Sequence, residues 1–442
     1  MPRDALTSHH DPAPRPGPGF RRSVTLLREH PRFRLLWFSN LFFFGGVWTQ
    51  TLVMGWSVYE ETGSELLVAV FTAARLAPML LGPLAGVFAD RHDRVRLLLV
   101  ACAWAVAASS VVAVLTSTDA ASYRVLLVAG LAIGLAQSPS QPARSALVLA
   151  LVGRANLSSA NAVNAVAVNA TQVVGPALGG VMISTVGAAA ALWISTAWYV
   201  VSLFLLLPLR GAGHRPAPHT TSVVAMVRSG FRTVRRNRLA STTLLITLAA
   251  NVFVWPVYQA FMPVFARGPL GLDADGLGWL LTCAGGGGLV GALLIGALGD
   301  FRRKGGVFLL GTAAWGALWA AFAITHDVPR AFVLMAGIGL LGSLFSVLQT
   351  TLLLLTTDAD LHGRALGLQE LVIGVMPLTA LLLGIVADRF GVGPTTFVSA
   401  LLLVVTLLGL ALWSPSFLRY SGTSAPATDT GPASSRPDRR AA

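Results

Sequence analysis

The sequence predicts an all-α membrane protein with twelve transmembrane helices, arranged as two homologous six-helix bundles around a central cavity. Composition is the first reason: 54% of the 442 residues are hydrophobic, 12% are charged, and the mean hydropathy is +0.69. A soluble domain of this length cannot bury that much apolar surface, so the chain must use lipid as a solvent. The other two reasons are the lengths of the apolar runs and an internal repeat.

Twelve apolar runs are long enough to cross a hydrocarbon core of about 30 Å at about 1.5 Å per helical residue. Charged residues, glycine or proline bound each run, and these residues end helices or form turns. The first six runs cover residues 35–59, 66–89, 97–117, 123–147, 158–185 and 188–207. The second six cover residues 239–265, 277–298, 305–325, 331–357, 365–387 and 394–413. We therefore expect one bundle over residues 35–207 and another over residues 239–413.

A motif that follows the second run returns in the second half of the chain. The stretch GPLAGVFADRHDRVR, residues 82–96, ends an apolar run in glycine, acid and arginine, and GALGDFRRK, residues 296–304, does the same. Two unrelated residue pairs recur at one offset of 210 residues, which favours two homologous halves like the internal repeats of membrane carriers. These pairs are Gly86 and Asp90 with Gly296 and Asp300, and Gly153-Arg154 with Gly363-Arg364.

Three polar segments lie outside the two bundles. Residues 1–34 and 414–442 are predicted to be cytoplasmic tails. Disorder is expected for residues 1–20 and for the residues after Arg419, because these stretches are rich in proline and small or polar residues. Residues 208–238 are predicted to be a cytoplasmic linker between the halves. Apolar and basic residues interleave at helical spacing in this linker, which favours a helix on the membrane surface over a solvated linker. They are Val223, Met226, Val227, Phe231 and Val234, with Arg228, Arg232, Arg235 and Arg236.

The positive-inside rule predicts the orientation. With the amino terminus inside, 27 of the 32 Lys and Arg fall in the tails and in the loops on the same side. We therefore expect a multi-pass protein of the inner (cytoplasmic) cell membrane with both termini in the cytoplasm. This topology, rather than nucleic-acid binding, explains the net charge of +13, because the aromatic residues lie in apolar runs and not between basic residues. Cys102 and Cys283 lie inside apolar runs of different halves, so we expect packing residues rather than a disulfide or a metal pair.

The loop motif after the second run resembles the signature of the major facilitator superfamily between its second and third helices. The residues that carry the resemblance are Gly82, Gly86, Asp90, Arg91 and Arg94. Asp93 stands where glycine is usual, and the similarity extends over about residues 21–419. In this superfamily the aspartate is thought to hold the eleventh helix in the outward-facing state, which implies a conformational gate that also includes Asp300 and Arg364. A loop that only anchors the topology is the alternative.

A second part of the predicted gate lies in the fifth run. Residues 175–180 read Gly-Pro-Ala-Leu-Gly-Gly and resemble the GPxxGG motif of exporters in the superfamily. Proline removes a backbone donor and can bend a helix, while glycine lets helices approach closely, so the segment can seal one side of a cavity. Small-residue packing alone is the alternative. The gate residues here are Gly175, Pro176, Gly179 and Gly180.

The first span and the end of the fourth resemble a narrower subgroup, the macrolide and siderophore exporters, which implies drug:proton antiport. The residues that carry this resemblance are Trp48, Gln50, Trp56, Tyr59 and Thr62-Gly63-Ser64, with Pro139, Pro142, Ala143, Arg144, Ala146, Gly153-Arg154 and Asn161.

Charged and polar residues inside the spans are the candidates for a substrate cavity, because such groups are costly in lipid. Arg75 lies about 13 Å deep at about 1.5 Å per residue, near the bilayer middle, and should face a cavity or a partner. Glu370 is the candidate for proton coupling, with a gate or helix-end role as the alternative. The remaining cavity candidates are Asn40, Trp48, Gln50, Asn251, Trp255, Tyr258, Gln259 and Gln349.

These features together predict a secondary active transporter that exports a drug-like or siderophore-like small molecule by alternating access, driven by protons. The alternatives are a uniporter or importer of a small metabolite and, with less support, a membrane-embedded lipid-linked transferase. We expect no enzyme activity, because the acidic clusters and nucleophile constellations of a transferase are missing from the sequence. We also expect a monomer without a cofactor, a metal or a nucleic-acid partner. Its partners are then the substrate, protons and the lipid bilayer.

Overall fold

The computed structural model describes residues 26–81, 93–211, 231–232, 234–235, 237–298, 301–357 and 361–421. Every regular element in these ranges is helical. The first half contains α1 (Pro31–Thr62), α2 (Glu65–Leu76), α3 (Arg94–Ser117), α4 (Tyr123–Val186) and α5 (Ala188–Leu206). The second half contains α6 (Arg238–Phe253), α7 (Trp255–Ala260), α8 (Met262–Arg267), α9 (Ala274–Leu298), α10 (Lys304–Ala323), α11 (Val328–Leu355), α12 (His362–Ile373), α13 (Met376–Phe390), α14 (Val392–Trp413) and α15 (Pro415–Leu418).

The predicted all-α membrane class is confirmed. Among the described residues, ten helices are long and apolar enough to cross a membrane. Two of the twelve predicted spans are not among these ten. One is 66–89, which runs into residues 82–92 outside the described ranges, and the other is 123–147, which is helical within α4. Most of the predicted surface helix, residues 223–236, also lies outside the described residues.

The stretch α4 contains two arms, because the chain reverses direction at Gly153. This residue has φ 72°, in the left-handed region where glycine avoids the strain that a Cβ would cause. The reversal places the side chains of both arms beside α1: Asn40 bonds Arg144 of the first arm and Asn164 of the second. The arms are residues 123–152 and 154–186, in agreement with the predicted spans four and five.

Prolines divide two predicted spans into shorter helices. The span predicted over residues 239–265 becomes α6, α7 and α8, where Pro256 and Pro263 each stand at the start of a new helix. Residues 365–387 fall in α12 and α13, and Pro377 stands in the first turn of the second of these. Proline lacks the N–H that would continue the helical ladder, which explains why hydropathy alone predicts one run where the backbone is broken.

The helix ends form two sides of the bundle. On one side, which we call the basic side, the Arg238 guanidinium lies 4.9 Å from the Trp413 ring centroid and Gly305 N–H donates to the Tyr420 carbonyl at 3.1 Å. On the other, which we call the opposite side, Glu61 accepts a 2.8 Å hydrogen bond from the Tyr123 N–H. The basic side carries Arg94, Gly153, Arg238, Lys304 and Arg364, and the opposite side carries Gly63, Gly187, Gly271 and Gly391.

Candidate transport cavity

A cavity of about 600 Å³ lies between the two halves. The second arm of α4 and the end of its first arm form one wall, and α7, α9, α10 and α11 form the other. The lining continues from Tyr258, near the bundle middle, to Ser145 and Leu157, close to the reversal at Gly153 on the basic side. The two walls differ in chemistry.

The wall contributed by α4 is rich in amide side chains. Asn161, Asn164, Asn169 and Gln172 line the cavity and stand at offsets of 0, 3, 8 and 11 residues, which places them on one face of the helix. We call these four residues the amide wall. Of these four residues, only Asn161 was named from the sequence, as part of the resemblance to the macrolide and siderophore exporters. The helical spacing of four amides within one apolar span is the signal that could have found the wall.

The facing wall is aromatic. The ring centroids of Trp255 and Tyr258 lie 5.9 Å apart, and those of Trp255 and Trp315 lie 5.4 Å apart. All three side chains line the cavity, and the indole N–H of Trp315 is buried without a hydrogen-bond partner. We call these three residues the aromatic wall. Trp255 and Tyr258 were predicted for a cavity, whereas Trp315, in a span without other polar signals, was not.

Arg75 lies in a second, much smaller cavity of about 30 Å³. It is 6% exposed, and its guanidinium donates to the Thr51 hydroxyl at 3.0 Å and to the Gln259 side-chain oxygen at 3.3 Å. Trp48 and Tyr258 also line this small cavity. Because Gln259 belongs to the second half, Arg75 connects the halves through a hydrogen bond. Trp48, Arg75, Tyr258 and Gln259, predicted separately, therefore lie together.

Four other predicted cavity residues lie within the bundles and are not part of the lining. Gln50 is buried, donates to Ser109 at 3.2 Å and accepts from the Tyr199 hydroxyl at 2.9 Å. The Asn251 amide donates to the Thr247 carbonyl of its own helix at 2.9 Å. The other two are Asn40, which is fully buried, and Gln349, whose side-chain oxygen is buried without a partner.

The glycines of residues 175–180 bring α4 close to its neighbours. A Cβ added to Gly180 would lie 2.6 Å from the Ala274 carbonyl oxygen and 2.8 Å from Gly278 Cα, across the boundary between the halves. Toward α1, a Cβ on Gly175 would lie 2.7 Å from Trp48 Cβ. Such distances leave no room for a side chain, so these glycines permit the contact between helices. Two further members of the motif lie nearby. The carbonyl of Pro176 faces Gly278, and a Cβ on Gly179 would lie 3.4 Å from the Thr49 carbonyl oxygen, an ordinary van der Waals contact.

A second contact between the halves lies at the opposite side, between α2 and α13. A Cβ on Gly384 would lie 2.2 Å from the Ala69 Cβ, so these helices also pack at van der Waals distance. Glu65, which precedes predicted span two, faces the second half at the edge of this contact. Burial raises the pKa of the Glu65 carboxyl, the backbone N–H of Val392 opposes the rise, and the nearby Asp388 adds to it.

The structure describes only some of the remaining residues that were predicted for the gate and for proton coupling. Gly86, Asp90, Arg91 and Asp300 lie outside the described residues. Arg94 begins α3 and donates to the Ala146 carbonyl at 3.4 Å. The side chains of Arg364 and Glu370 in α12 are exposed, and neither lines the cavity between the halves.

Arg144 was counted with the arginines of the basic side by the positive-inside rule, but its side chain is fully buried inside the first bundle. Its guanidinium contacts α1 and α3, where it bonds Asn40 and Cys102. The uncertainty of helix ends explains the difference: residue 144 falls three residues before the predicted end of span four, and a shift of that size decides between loop and core.

Comparison with known proteins identifies relatives over most of the chain. Residues 25–421 match the profile of the transmembrane secretion effector family. The chain is 29% identical over 370 residues to the multidrug efflux pump Tap of Mycolicibacterium fortuitum, which covers 80% of this chain and 88% of that pump. It is 27% identical over 354 residues to the enterobactin exporter EntS of Salmonella typhimurium, covering 78% of this chain and 83% of the exporter.

Solved structures share the fold. A bacterial homologue of the human lysosomal transporter Spinster, in an inward-facing and unoccupied conformation, superposes with a TM-score of 0.70 at 14% identity, over 90% of this chain and 99% of that one. A POT family transporter in complex with 5-aminolevulinic acid superposes with a TM-score of 0.72 at 10% identity, over 87% and 96%. At these identities the likeness shows the arrangement of helices.

Proposed function

The chain belongs to the transmembrane secretion effector family of major facilitator transporters, and we propose that it exports a drug-like or siderophore-like small molecule by alternating access. We further propose that protons enter in exchange for the exported molecule. The basic side is then cytoplasmic, in keeping with the distribution of Lys and Arg. In this orientation the cavity is the cytoplasmic loading site.

The cavity between the amide wall and the aromatic wall is the observation that carries this proposal. A volume of about 600 Å³ is within the range of small-molecule sites. The lining contains no charged side chain among the described residues. Amphipathic solutes suit such a lining, because sugars need many more hydrogen bonds and inorganic anions need fixed countercharges. On the opposite side, contacts of Gly180 with Gly278 and of Arg75 with Gln259 support a closed gate.

Two other functions were predicted as alternatives. The members of this family are transporters, so the chain is a transporter and the lipid-linked transferase is set aside. A uniporter or importer would have the same fold, and only the direction of flux distinguishes it. Export is favoured by the relatives: a multidrug efflux pump and an enterobactin exporter each match about four fifths of the chain, at 80% and 78%.

Accumulation in inside-out vesicles tests the proposal. Vesicles containing the protein and matched vesicles without it are incubated with a panel of antibiotics, dyes and siderophores. Each compound is tested with and without an acidic vesicle interior. We expect at least one compound to accumulate only when the protein and the pH gradient are both present. Accumulation that is equal with and without the gradient removes proton exchange, and no accumulation across the panel removes export.

Glu370→Gln tests proton coupling. The side chain lies in a predicted span, where a carboxylate is costly, and a costly ionisable group in a span is a candidate for a functional role. We therefore expect the variant to lose the gradient-dependent part of accumulation. The measurement is the ratio of compound accumulated with and without the gradient, which should fall to about one. Glu60→Gln is the matched control, because Glu60 is an exposed carboxylate at the end of α1. An unchanged ratio in Glu370→Gln would remove this residue as the proton site.

A further inference from the structure

A buried arginine lies directly behind the amide wall. Arg144 is 2% exposed, and one guanidinium nitrogen donates to the Ser39 hydroxyl at 3.2 Å and to the Asn40 side-chain oxygen at 2.5 Å. The other terminal nitrogen donates to the Cys102 sulfur at 3.5 Å. The centre of the guanidinium lies 4.3 Å from the Phe43 ring centroid. The charge is therefore held by neutral groups on every side that the structure describes.

No described carboxylate pairs with Arg144, and its Nε is buried without a hydrogen-bond partner. Moving a charge from water into the interior without a countercharge costs on the order of several kcal/mol, because the charge loses its hydration. An apolar residue of similar volume would fill the same space without that cost. The arginine therefore needs an explanation other than packing, and its hydrogen bonds supply one.

These hydrogen bonds fix the orientation of two amides in sequence. A guanidinium has only donors, so Asn40 must turn its oxygen toward Arg144 and its NH₂ group away from it. That NH₂ group donates to the Asn164 side-chain oxygen at 2.5 Å. Asn164 has then used its oxygen on Asn40, and its NH₂ group is what remains for the cavity that the residue lines.

We propose that Arg144 and Asn40 are positioning residues that make Asn164 a hydrogen-bond donor toward the cavity, so that the transported molecule presents an electron-rich acceptor oxygen at this point. A carbonyl, ether, phenolate or carboxylate oxygen meets this requirement, whereas an ammonium or aromatic amine does not. The aromatic wall faces Asn164 across the cavity, which places the acceptor on or beside a flat ring system. This inference rests on the proposed export function, because it names the substrate class of the same cavity.

Two dyes with the same three-ring skeleton test the inference by binding alone. At neutral pH resorufin carries an acceptor oxygen at each end of this skeleton, and 3,7-diaminophenoxazinium carries a donor amino group at each end. Affinities are measured by equilibrium dialysis on the full chain in lipid nanodiscs, without transport. We expect wild-type protein to bind resorufin about tenfold more tightly, the ratio that a difference of about 1.4 kcal/mol gives. Equal affinities, the reverse preference, or binding of neither dye would overturn the inference.

Asn40→Asp should reverse the preference without changing any residue of the cavity lining. The carboxylate that this variant places at position 40 accepts from Arg144 and, having no donor, also accepts from Asn164, which must turn its NH₂ group away from the cavity. The oxygen of Asn164 then faces the ligand, so the diamino dye should bind about as tightly as resorufin or more tightly. A preference for resorufin that stays at the wild-type ratio contradicts the relay.

Asn164→Asp serves as the second variant if Asn40→Asp does not fold, because it places an acceptor in the wall directly. It should abolish or reverse the preference for resorufin, and an unchanged ratio would again contradict the inference. Failure of the export function can be distinguished from failure of this inference. Wild-type vesicles that accumulate no compound, from a protein whose dye preference reverses in Asn40→Asp, would remove export and keep the relay.

Discussion

Gln259→Glu is expected to raise the melting temperature of the protein and to lower its transport rate about tenfold. In this structure Gln259 accepts a 3.3 Å hydrogen bond from Arg75, a buried cation of the other half. A carboxylate there converts a neutral acceptor into a charged one, which strengthens the hydrogen bond by about 1–2 kcal/mol. The bond joins the halves, so the closed opposite side is stabilised, and about 1.4 kcal/mol shifts a conformational equilibrium about tenfold.

The double variant Arg75→Gln with Gln259→Glu separates this effect from general damage. Without the cation the carboxyl loses its partner, so the gain in melting temperature should disappear or become a loss. The melting temperatures of wild type, Gln259→Glu and the double variant are measured on purified protein in the same detergent. If Gln259→Glu transports as fast as wild type while being more stable, the hydrogen bond does not belong to a gate that must open.

Gly180→Val is expected to abolish transport and to open the opposite side. Its Cβ would lie 2.6 Å from the Ala274 carbonyl oxygen and 2.8 Å from Gly278 Cα. Both neighbours are backbone atoms that cannot rotate away, and overpacking of this kind costs about 1–3 kcal/mol. The cost falls on the conformation in which α4 and α9 touch, so that conformation should be depopulated. Transport in vesicles and the distance between spin labels on Glu60 and Phe390 are the measurements.

Gly286→Val is the matched control for Gly180→Val. The residue lies in α9, and a Cβ there would meet no atom within 4 Å. The same change of side chain on a partner helix should therefore leave both transport and the label distance near the wild-type values. Equal loss of transport in the two variants would mean that valine harms these helices in general, and the gate would lose its support from Gly180.

Hydropathy was sufficient to predict the class of fold and most helix bounds, because apolar runs of sufficient length are stable as helices in lipid. It could not predict which way polar side chains point. Asn40, Gln50 and Asn251 were expected in the cavity, yet each has hydrogen-bond partners inside its own bundle. Polar residues in a membrane are satisfied by tertiary contacts as readily as by a cavity, and such contacts have no signature in sequence spacing.

Some residues in and behind the cavity were predicted from the sequence and others were not. Trp255 and Tyr258 were predicted for the cavity, and both line it. The amide wall was not predicted as a unit although its spacing is periodic, because amides in a membrane helix bond to neighbouring helices as readily as they line a cavity. The burial of Arg144 was not predicted, for a physical reason: positive residues near a helix end are ordinarily solvated, and only packing against Phe43 and Cys102 shows that this one is buried.

Alternating access requires that the two sides of a single cavity open in turn. Two pairs of spin labels test it, on a chain with Cys102 and Cys283 replaced by serine: Glu60 with Phe390 on the opposite side, and Arg96 with Arg364 on the basic side. We expect the first distance to lengthen and the second to shorten together, when a transported compound and a pH gradient are supplied. Distances that stay fixed, or that lengthen on both sides at once, would contradict alternating access.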